Sequence, residues 1–147
     1  MPLTDADHVR GLLGTYCRLI DGGDFAGVGR LMADAKLMTL DGTVIATGAD
    51  EVAALYAGIV TLHEDGTPGT QHVVANTTLE EVEGGIRARS TYVVLQAVTG
   101  LPLQPVITGS YDDTFVTDSS GSWRFAERRF GVGLSGDLTH HLAPGVI

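Results

Sequence analysis

The sequence predicts an α+β fold in which three helices come first and a curved antiparallel sheet follows. Two observations lead to this prediction. The first 63 residues contain three stretches whose apolar residues recur at helical spacing. From residue 70 onward, long stretches rich in Val, Thr, Ile and Tyr are separated by turns that contain glycine, which is typical of strands. We therefore expect the helices to pack on the concave face of the sheet and to leave a cone with one open mouth, which would suit a small molecule.

The first two helices are predicted from their apolar faces and from their ends. Apolar residues of the first helix share one face: Val9, Leu12, Leu13, Tyr16, Cys17 and Ile20. Gly22-Gly23 ends this helix, because glycine adopts the left-handed conformation at little cost. Asp24 is placed to cap a second helix. Asp21 is unusual, since an acid in the last turn meets the negative end of the helix dipole, at a cost of about 0.3–1 kcal/mol. Either turn geometry or function can explain it.

A short strand pair and a third helix come next. Strands are predicted over 36–40 and 43–47, with Asp41-Gly42 as the turn between them. The third helix is predicted over 49–63, where an apolar stripe recurs at helical spacing: Val52, Leu55, Tyr56, Ile59 and Leu62.

A long β-hairpin follows, with arms over 71–83 and 86–98 and Gly84-Gly85 between them. Alternation along the first arm places four residues on one face: His72, Val74, Asn76 and Thr78. An imidazole and an amide on one face indicate either the wall of a pocket or a solvated sheet edge.

Two further strands are predicted over 106–117 and 122–134, followed by a tail over 135–147. The tail contains His140-His141. Adjacent histidines on an extended chain point apart, and no further ligand motif accompanies them, so we expect no metal site there.

Composition narrows the classes of function. The chain has 147 residues, a length suited to one domain over 1–147, and a net charge of −9. Lys36 is the only lysine, so the clustered cations that bind nucleic acid are missing. No apolar run approaches the roughly 20 residues that span a bilayer, and the first residues are polar and acidic, so a soluble cytoplasmic protein is expected. The single Cys17 excludes an internal disulfide and is expected to be a buried structural thiol.

Three segments resemble a known family. They are YCRLIDGGDF (16–25), TQHVVAN (70–76) and GSYDDTFVTDSSGSWRFAERRF (109–130). Together they resemble the SnoaL-like, scytalone-dehydratase-like branch of the nuclear transport factor 2-like superfamily. The resemblance covers about 5–134 and implies a cystatin-like cone of curved antiparallel sheet with three helices. Within the branch, the chain is most similar to scytalone dehydratase, lindane dehydrochlorinase and bile-acid 7α-dehydratase.

The resemblance also implies a site. In those enzymes an acid at the end of the first helix and a histidine at the start of the long hairpin form a catalytic pair, and these positions match Asp21 and His72. Tyr16 matches a tyrosine of the bile-acid dehydratase. Arg128 matches a pocket arginine of the dehydrochlorinase, although strand alternation puts it on the face opposite Trp123 and Phe125. Asn76 shares the face of His72 and is a second candidate for substrate binding.

The pair suits acid–base chemistry, because histidine titrates near neutral pH and a carboxylate on its second nitrogen fixes its tautomer. The expected function is therefore a cofactor-independent lyase of the dehydratase type, acting on a hydroxylated steroid-, polyketide- or aromatic-like substrate. The alternatives are an isomerase or polyketide cyclase, and a non-catalytic binding or dioxygenase-β-subunit-like module. Two features of the relatives are missing, a lysine on the first helix and a second histidine in 86–98.

No metal or nucleotide is expected as a cofactor, since no GxGxxG, GxxxxGK[ST] or HExxH motif occurs. The expected partners are a small apolar or hydroxylated organic substrate and further copies of the chain in a dimer or trimer, as the resemblance implies.

Overall fold

The computed structural model describes residues 1–146 and has the predicted α+β architecture. Its helices are α1 (Asp5–Asp21), α2 (Phe25–Leu31) and α3 (Gly48–Ile59). Its strands are β1 (Lys36–Thr39), β2 (Val44–Thr47), β3 (Thr70–Val82), β4 (Gly85–Val98), β5 (Leu101–Thr117) and β6 (Trp123–Ser135). None of the helices in the described residues is long and apolar enough to cross a membrane.

The six strands form one curled, unclosed sheet in the order β2-β1-β6-β5-β4-β3. Neighbouring strands are antiparallel, as predicted, except β1 and β6, which run parallel. The register shifts within β3–β4, β4–β5 and β5–β6. An extra residue in one strand bends it and increases its twist, so these irregularities contribute to the curl that makes room for a cavity.

Side-chain caps mark the first residues of α1 and α2. Thr4 caps α1 and forms a reciprocal capping box with Asp7: the Thr4 backbone N–H donates to the Asp7 carboxylate over 2.9 Å, and the Asp7 N–H donates to the Thr4 hydroxyl. Asp24 caps α2 as predicted, accepting from the Gly27 N–H over 2.8 Å. The buried face of α1 consists of predicted residues: Val9, Leu13, Tyr16 and Ile20. These packed side chains place Asp21 at the end of α1, against β3.

Two predicted boundaries differ from the structure. Helix α3 ends at Ile59, before residue 63, because Val60 is extended and forms an isolated β-bridge with Leu142 of the tail. Strand β5 begins at Leu101, before residue 106, and a register shift opposite Pro105 accommodates a residue that has no N–H to donate.

The hairpin turn also lies one residue earlier than predicted, at Glu83-Gly84. Gly84 has φ +79°, the left-handed conformation that glycine adopts readily. Gly85 belongs to β4, where a Cβ atom would collide with the carbonyl oxygen of Phe115 on the neighbouring strand.

Candidate active site

A cavity of about 150 Å³ lies between the helices, the sheet and the tail. Its apolar lining is contributed by all three: Ile20, Leu55, Ile59, Val60, Val94, Ile107, Phe130, Val132, Leu142 and Val146. Its polar lining is Tyr16, Tyr56, Tyr92, Tyr111, His72 and His141, which includes all four tyrosines of the chain. A mostly apolar cavity with a few convergent polar groups is typical of small-molecule sites.

Asp21 and His72 lie in direct contact at one side of this cavity. The Asp21 Oδ1 atom is 2.5 Å from His72 Nδ1, and it also accepts a hydrogen bond from the Thr70 hydroxyl over 2.8 Å. The other oxygen, Oδ2, accepts from the His72 backbone N–H over 2.8 Å. The end of α1 and the start of β3 are thus joined through one carboxylate. These bonds offset the cost of an acid at the end of a helix.

The contact determines which nitrogen of His72 is free. An ionised carboxylate can only accept, so Nδ1 carries the proton and Nε2 keeps a lone pair. The His72 side chain is 6% exposed and lines the cavity, whereas Asp21 lies behind it. The arrangement therefore presents an oriented imidazole, backed by a carboxylate, to any molecule in the cavity.

Two tyrosines provide hydroxyl groups near His72. The Tyr16 and Tyr56 hydroxyl oxygens are 3.2 Å apart, and the Tyr16 ring meets the His72 ring edge-on at 6.1 Å. Burial raises the pKa of both tyrosines, so both stay neutral O–H donors at physiological pH. Within the pair one hydroxyl donates to the other, and the second hydrogen is free for a ligand. The sequence placed Tyr56 only in a helical apolar stripe, where a cavity-lining tyrosine looks like a packed one.

Arg128 lies beneath the cavity and not in its lining. Both Arg128 and Asp113 are fully buried, and the guanidinium donates to Asp113 through Nε over 2.8 Å and through Nη2 over 3.0 Å. It stacks on the rings of Tyr16 at 4.2 Å and Tyr111 at 3.7 Å. Burial alone would lower the pKa of Arg128, but the attraction of Asp113 outweighs burial and the pKa is raised. Arg128 therefore packs against the tyrosine rings and supports them.

Strand alternation misplaced Arg128 because β6 contains an extra residue. Glu127 is opposite Thr114 and Phe125 is opposite Phe115, so Ala126 has no partner of its own. A bulge of this kind reverses the alternation beyond it, and Arg128 and Phe125 therefore both face the interior.

Asn76 is displaced by a similar irregularity and does not line the cavity. The register of β3 and β4 shifts between Ala75 and Thr78, and Asn76 adopts φ +54°. Its side chain is exposed and donates to the Thr91 hydroxyl over 2.9 Å. The structure thus separates Asn76 from the cavity face on which alternation placed it with His72.

Sequence reasoning missed His141, which the tail brings to the cavity. Its side chain is 5% exposed, and its ring centroid lies 6.3 Å from that of His72. The Gly/Pro-containing sequence of the tail has no local pattern that indicates where the tail contacts the rest of the protein. No three His, Cys, Asp or Glu side chains in residues 1–146 lie close enough together to hold a metal ion.

His141 makes stability depend on pH. Burial, followed by the nearby His72, lowers the pKa of His141 from 6.5 to about 4, although Asp21 acts in the opposite direction. Between these values the unfolded chain binds more protons than the folded chain. The contribution of neutral His141 to the free energy of unfolding is therefore present above about pH 6.5 and is lost as pH falls towards 4. As pH is lowered through this window, we expect the free energy of unfolding of the wild type, relative to that of His141→Phe, to fall by up to about 1.4 kcal/mol per pH unit. Urea denaturation at several pH values measures it. Parallel pH profiles of the two proteins would contradict the expectation.

Comparisons with known proteins agree with this architecture. The family model described as a SnoaL-like domain matches residues 1–129. A nuclear transport factor 2-like protein with a cystatin-like fold from Novosphingobium aromaticivorans is 24% identical, with a TM-score of 0.70 over 90% of this chain and 84% of that one. A candidate scytalone dehydratase from the same organism is 20% identical, with a TM-score of 0.68 over 88% of this chain and 85% of that one. A Catenulispora acidiphila protein in complex with S-DNPA is 14% identical, with a TM-score of 0.68 over 85% of this chain and 90% of that one.

A search of curated proteins finds no match to this chain. The structural likenesses are all below 25% identity, so they show the fold and not the activity. The family model spans most of the sequence, and the chain therefore belongs to the SnoaL-like domain family.

Proposed function

We propose that this protein is a cofactor-independent lyase that removes water from a small hydroxylated aromatic or polyketide-like compound. Its family includes polyketide cyclases and dehydratases. The observation that carries the proposal is the hydrogen-bonded Asp21–His72 pair, with the imidazole in the wall of an apolar cavity. A cavity that only fills space or binds apolar ligands does not need a carboxylate to orient a histidine.

In the proposed reaction His72 acts as base and then as acid. On a β-hydroxy ketone, its Nε2 accepts the proton from the carbon next to the carbonyl, and the electrons of that C–H bond form the new C=C bond. The bond to the hydroxyl oxygen breaks, and that oxygen keeps the bonding electrons. It takes the proton back from the imidazolium and leaves as water. Asp21 holds the ring in the required tautomer and stabilises the imidazolium while it exists.

Tyr16 is assigned the stabilisation of developing negative charge. Tyr16 lines the cavity, its ring meets that of His72, and its hydroxyl is paired with that of Tyr56, so one O–H of the pair can donate to a carbonyl or leaving oxygen. Arg128 stacks on the Tyr16 ring from below. A cation against the ring makes the phenol a stronger donor, so Arg128 assists without touching the substrate.

Cavity size supports a small substrate. The volume is about 150 Å³, and an engineered protein cavity of about that volume binds benzene. Compounds with one or two rings therefore suit the site better than a four-ring steroid. Val132, at the edge of the cavity, is 51% exposed, so one end of a ligand can extend towards solvent.

A direct test uses β-hydroxypropiophenone, a one-ring β-hydroxy ketone, and its two-ring analogue built on tetralone. We expect the wild-type protein to convert at least one of them to the unsaturated ketone and water, as followed by absorbance and mass spectrometry. His72→Ala is the control for spontaneous elimination. Conversion that does not exceed this control for either compound would overturn the proposal.

Repeating the reaction in D₂O separates elimination from the alternatives. Deuterium entering next to the carbonyl without loss of water would indicate an isomerase or cyclase that uses the same base. Binding without either reaction would indicate a binding module.

A further inference from the structure

His141 lines the cavity with an imidazole that has an unpaired nitrogen. The residue is 5% exposed, and its buried Nδ1 atom makes no hydrogen bond within the described residues. Native proteins rarely leave buried polar atoms unpaired, because each loses its hydrogen bonds to water without replacement. In a residue that lines a cavity, an imidazole without hydrogen-bond partners indicates that a ligand group completes its bonding.

The position of His141 is determined by the backbone around it. The His141 carbonyl accepts from the Thr61 N–H over 2.8 Å, and the Ala143 N–H donates to the Ile59 carbonyl over 2.9 Å. These bonds flank the β-bridge of Val60 with Leu142. The tail is thus attached along the end of α3, and His141 is held facing inward.

The preceding residue is attached to β4 and to the segment that follows α3. The carbonyl of His140 accepts from Gln96 Nε2 over 2.9 Å and lies 2.8 Å from His63 Nε2. Gln96 is fully buried in β4, and its Nε2 also donates to the Pro68 carbonyl. A buried glutamine committed to a tail carbonyl shows that the body of the fold is built to receive this segment.

His141 and His72 can contact one ligand together. Both line the same cavity, and their rings are inclined at 68° with centroids 6.3 Å apart. Titratable groups around His141 are His72 and the four tyrosines of the same cavity, and the charges of His72, Asp21 and His63 act on its pKa. His141 has no carboxylate of its own, so it differs from His72 in being a neutral imidazole that can donate through one nitrogen and accept through the other.

We propose that His141 is a second ligand-binding histidine of this cavity, which hydrogen-bonds the hydroxyl group of the bound molecule. In the elimination proposed above, on which this role in the reaction rests, that hydroxyl is the leaving group. His141 then holds the leaving oxygen beside His72, where the returning proton reaches it. The binding role itself needs no reaction.

Benzyl alcohol and toluene test the binding role, since each has one ring, they differ by one hydroxyl, and neither can undergo the proposed elimination. We expect wild-type protein to bind benzyl alcohol at least about fivefold more tightly than toluene, the value of one neutral hydrogen bond. In His141→Phe the preference for benzyl alcohol should fall about fivefold, the value of the lost hydrogen bond, while toluene affinity changes little. In His141→Gln part of the preference should return. Titrations followed by NMR of ¹⁵N-labelled protein give all the affinities.

His140→Phe is the matched control, because it changes the neighbouring histidine in the same way and that residue does not line the cavity. It should keep the wild-type preference. A preference for benzyl alcohol that is undiminished in both His141 variants, or its absence in the wild type, would overturn the proposal. The outcome is separate from the proposed lyase activity. Loss of preference in His141→Phe without turnover of either ketone would support the binding role of His141 and reject the lyase activity. Turnover of a ketone with an unchanged preference in His141→Phe would reject only the binding role of His141.

Discussion

His72→Ala is expected to lower kcat by about 10²–10⁴ on any substrate that the wild-type protein converts, because a general base typically contributes this much. The ring is in the cavity wall with its Nδ1 committed to Asp21, and no other carboxylate-backed imidazole lines the cavity within residues 1–146. Steady-state kinetics measure the loss, and a thermal melt of the variant shows that it is folded.

Asp21→Asn separates an oriented base from a histidine that merely lines the cavity. An amide can donate to Nδ1 and stabilise the wrong tautomer, so we expect a loss of kcat of similar order. The two residues act as one unit, and the double variant should therefore be little slower than His72→Ala alone. Fully additive losses, or an active His72→Ala protein, would show that the pair does not carry the reaction.

Asp113→Ala is expected to lower the free energy of unfolding by about 3–5 kcal/mol, because it leaves Arg128 charged and unpaired in the interior. Both side chains are 0% exposed and share two hydrogen bonds. Removing both charges, with Asp113→Leu and Arg128→Met together, should recover most of the loss. Urea denaturation measures all three proteins.

The adjacent residue on the same strand is the matched control. Asp112 accepts two hydrogen bonds from Arg87, over 2.8 and 2.6 Å, but the two side chains are 27% and 38% exposed. Water screens such a pair, so Asp112→Ala should cost about 1 kcal/mol or less. Equal losses for Asp112→Ala and Asp113→Ala would mean that burial of the inner pair is not the source of its effect.

The inner pair also matters for the site. Arg128 stacks on Tyr16 and Tyr111, and both rings line the cavity. Its role is therefore better described as supporting the tyrosines than as the substrate binding that the family resemblance implied.

Local chemistry in the sequence was sufficient for the helices and most strand positions. The apolar face of α1, the Asp24 cap and the two arms of the hairpin all follow from residues close together in the chain. Asp21 and His72 could be selected from their places at an element end and an element start, together with the family resemblance. Their contact, 51 positions apart, needed the fold to be seen.

Alternation along a strand could not predict the side of the sheet on which a residue lies beyond an irregularity. One unpaired residue in β6 turned Arg128 inward, and the shift in β3 turned Asn76 outward. A bulge depends on the pairing of two strands, and neither strand alone encodes it.

By itself, the sequence determined the α+β class and the order of the elements. It also determined that Asp21 lies at the end of the first helix and that His72 lies at the start of the long hairpin. Only the tertiary structure decided which polar groups share the cavity: Tyr56 joins Tyr16 across two helices, and His141 arrives from a tail whose destination is set by Val60 and Gln96. The reason is physical. Helices and hairpins are specified by neighbouring residues, whereas a cavity is assembled from contacts between residues far apart in the chain, whose partners appear only when the sheet has curled and the tail has docked.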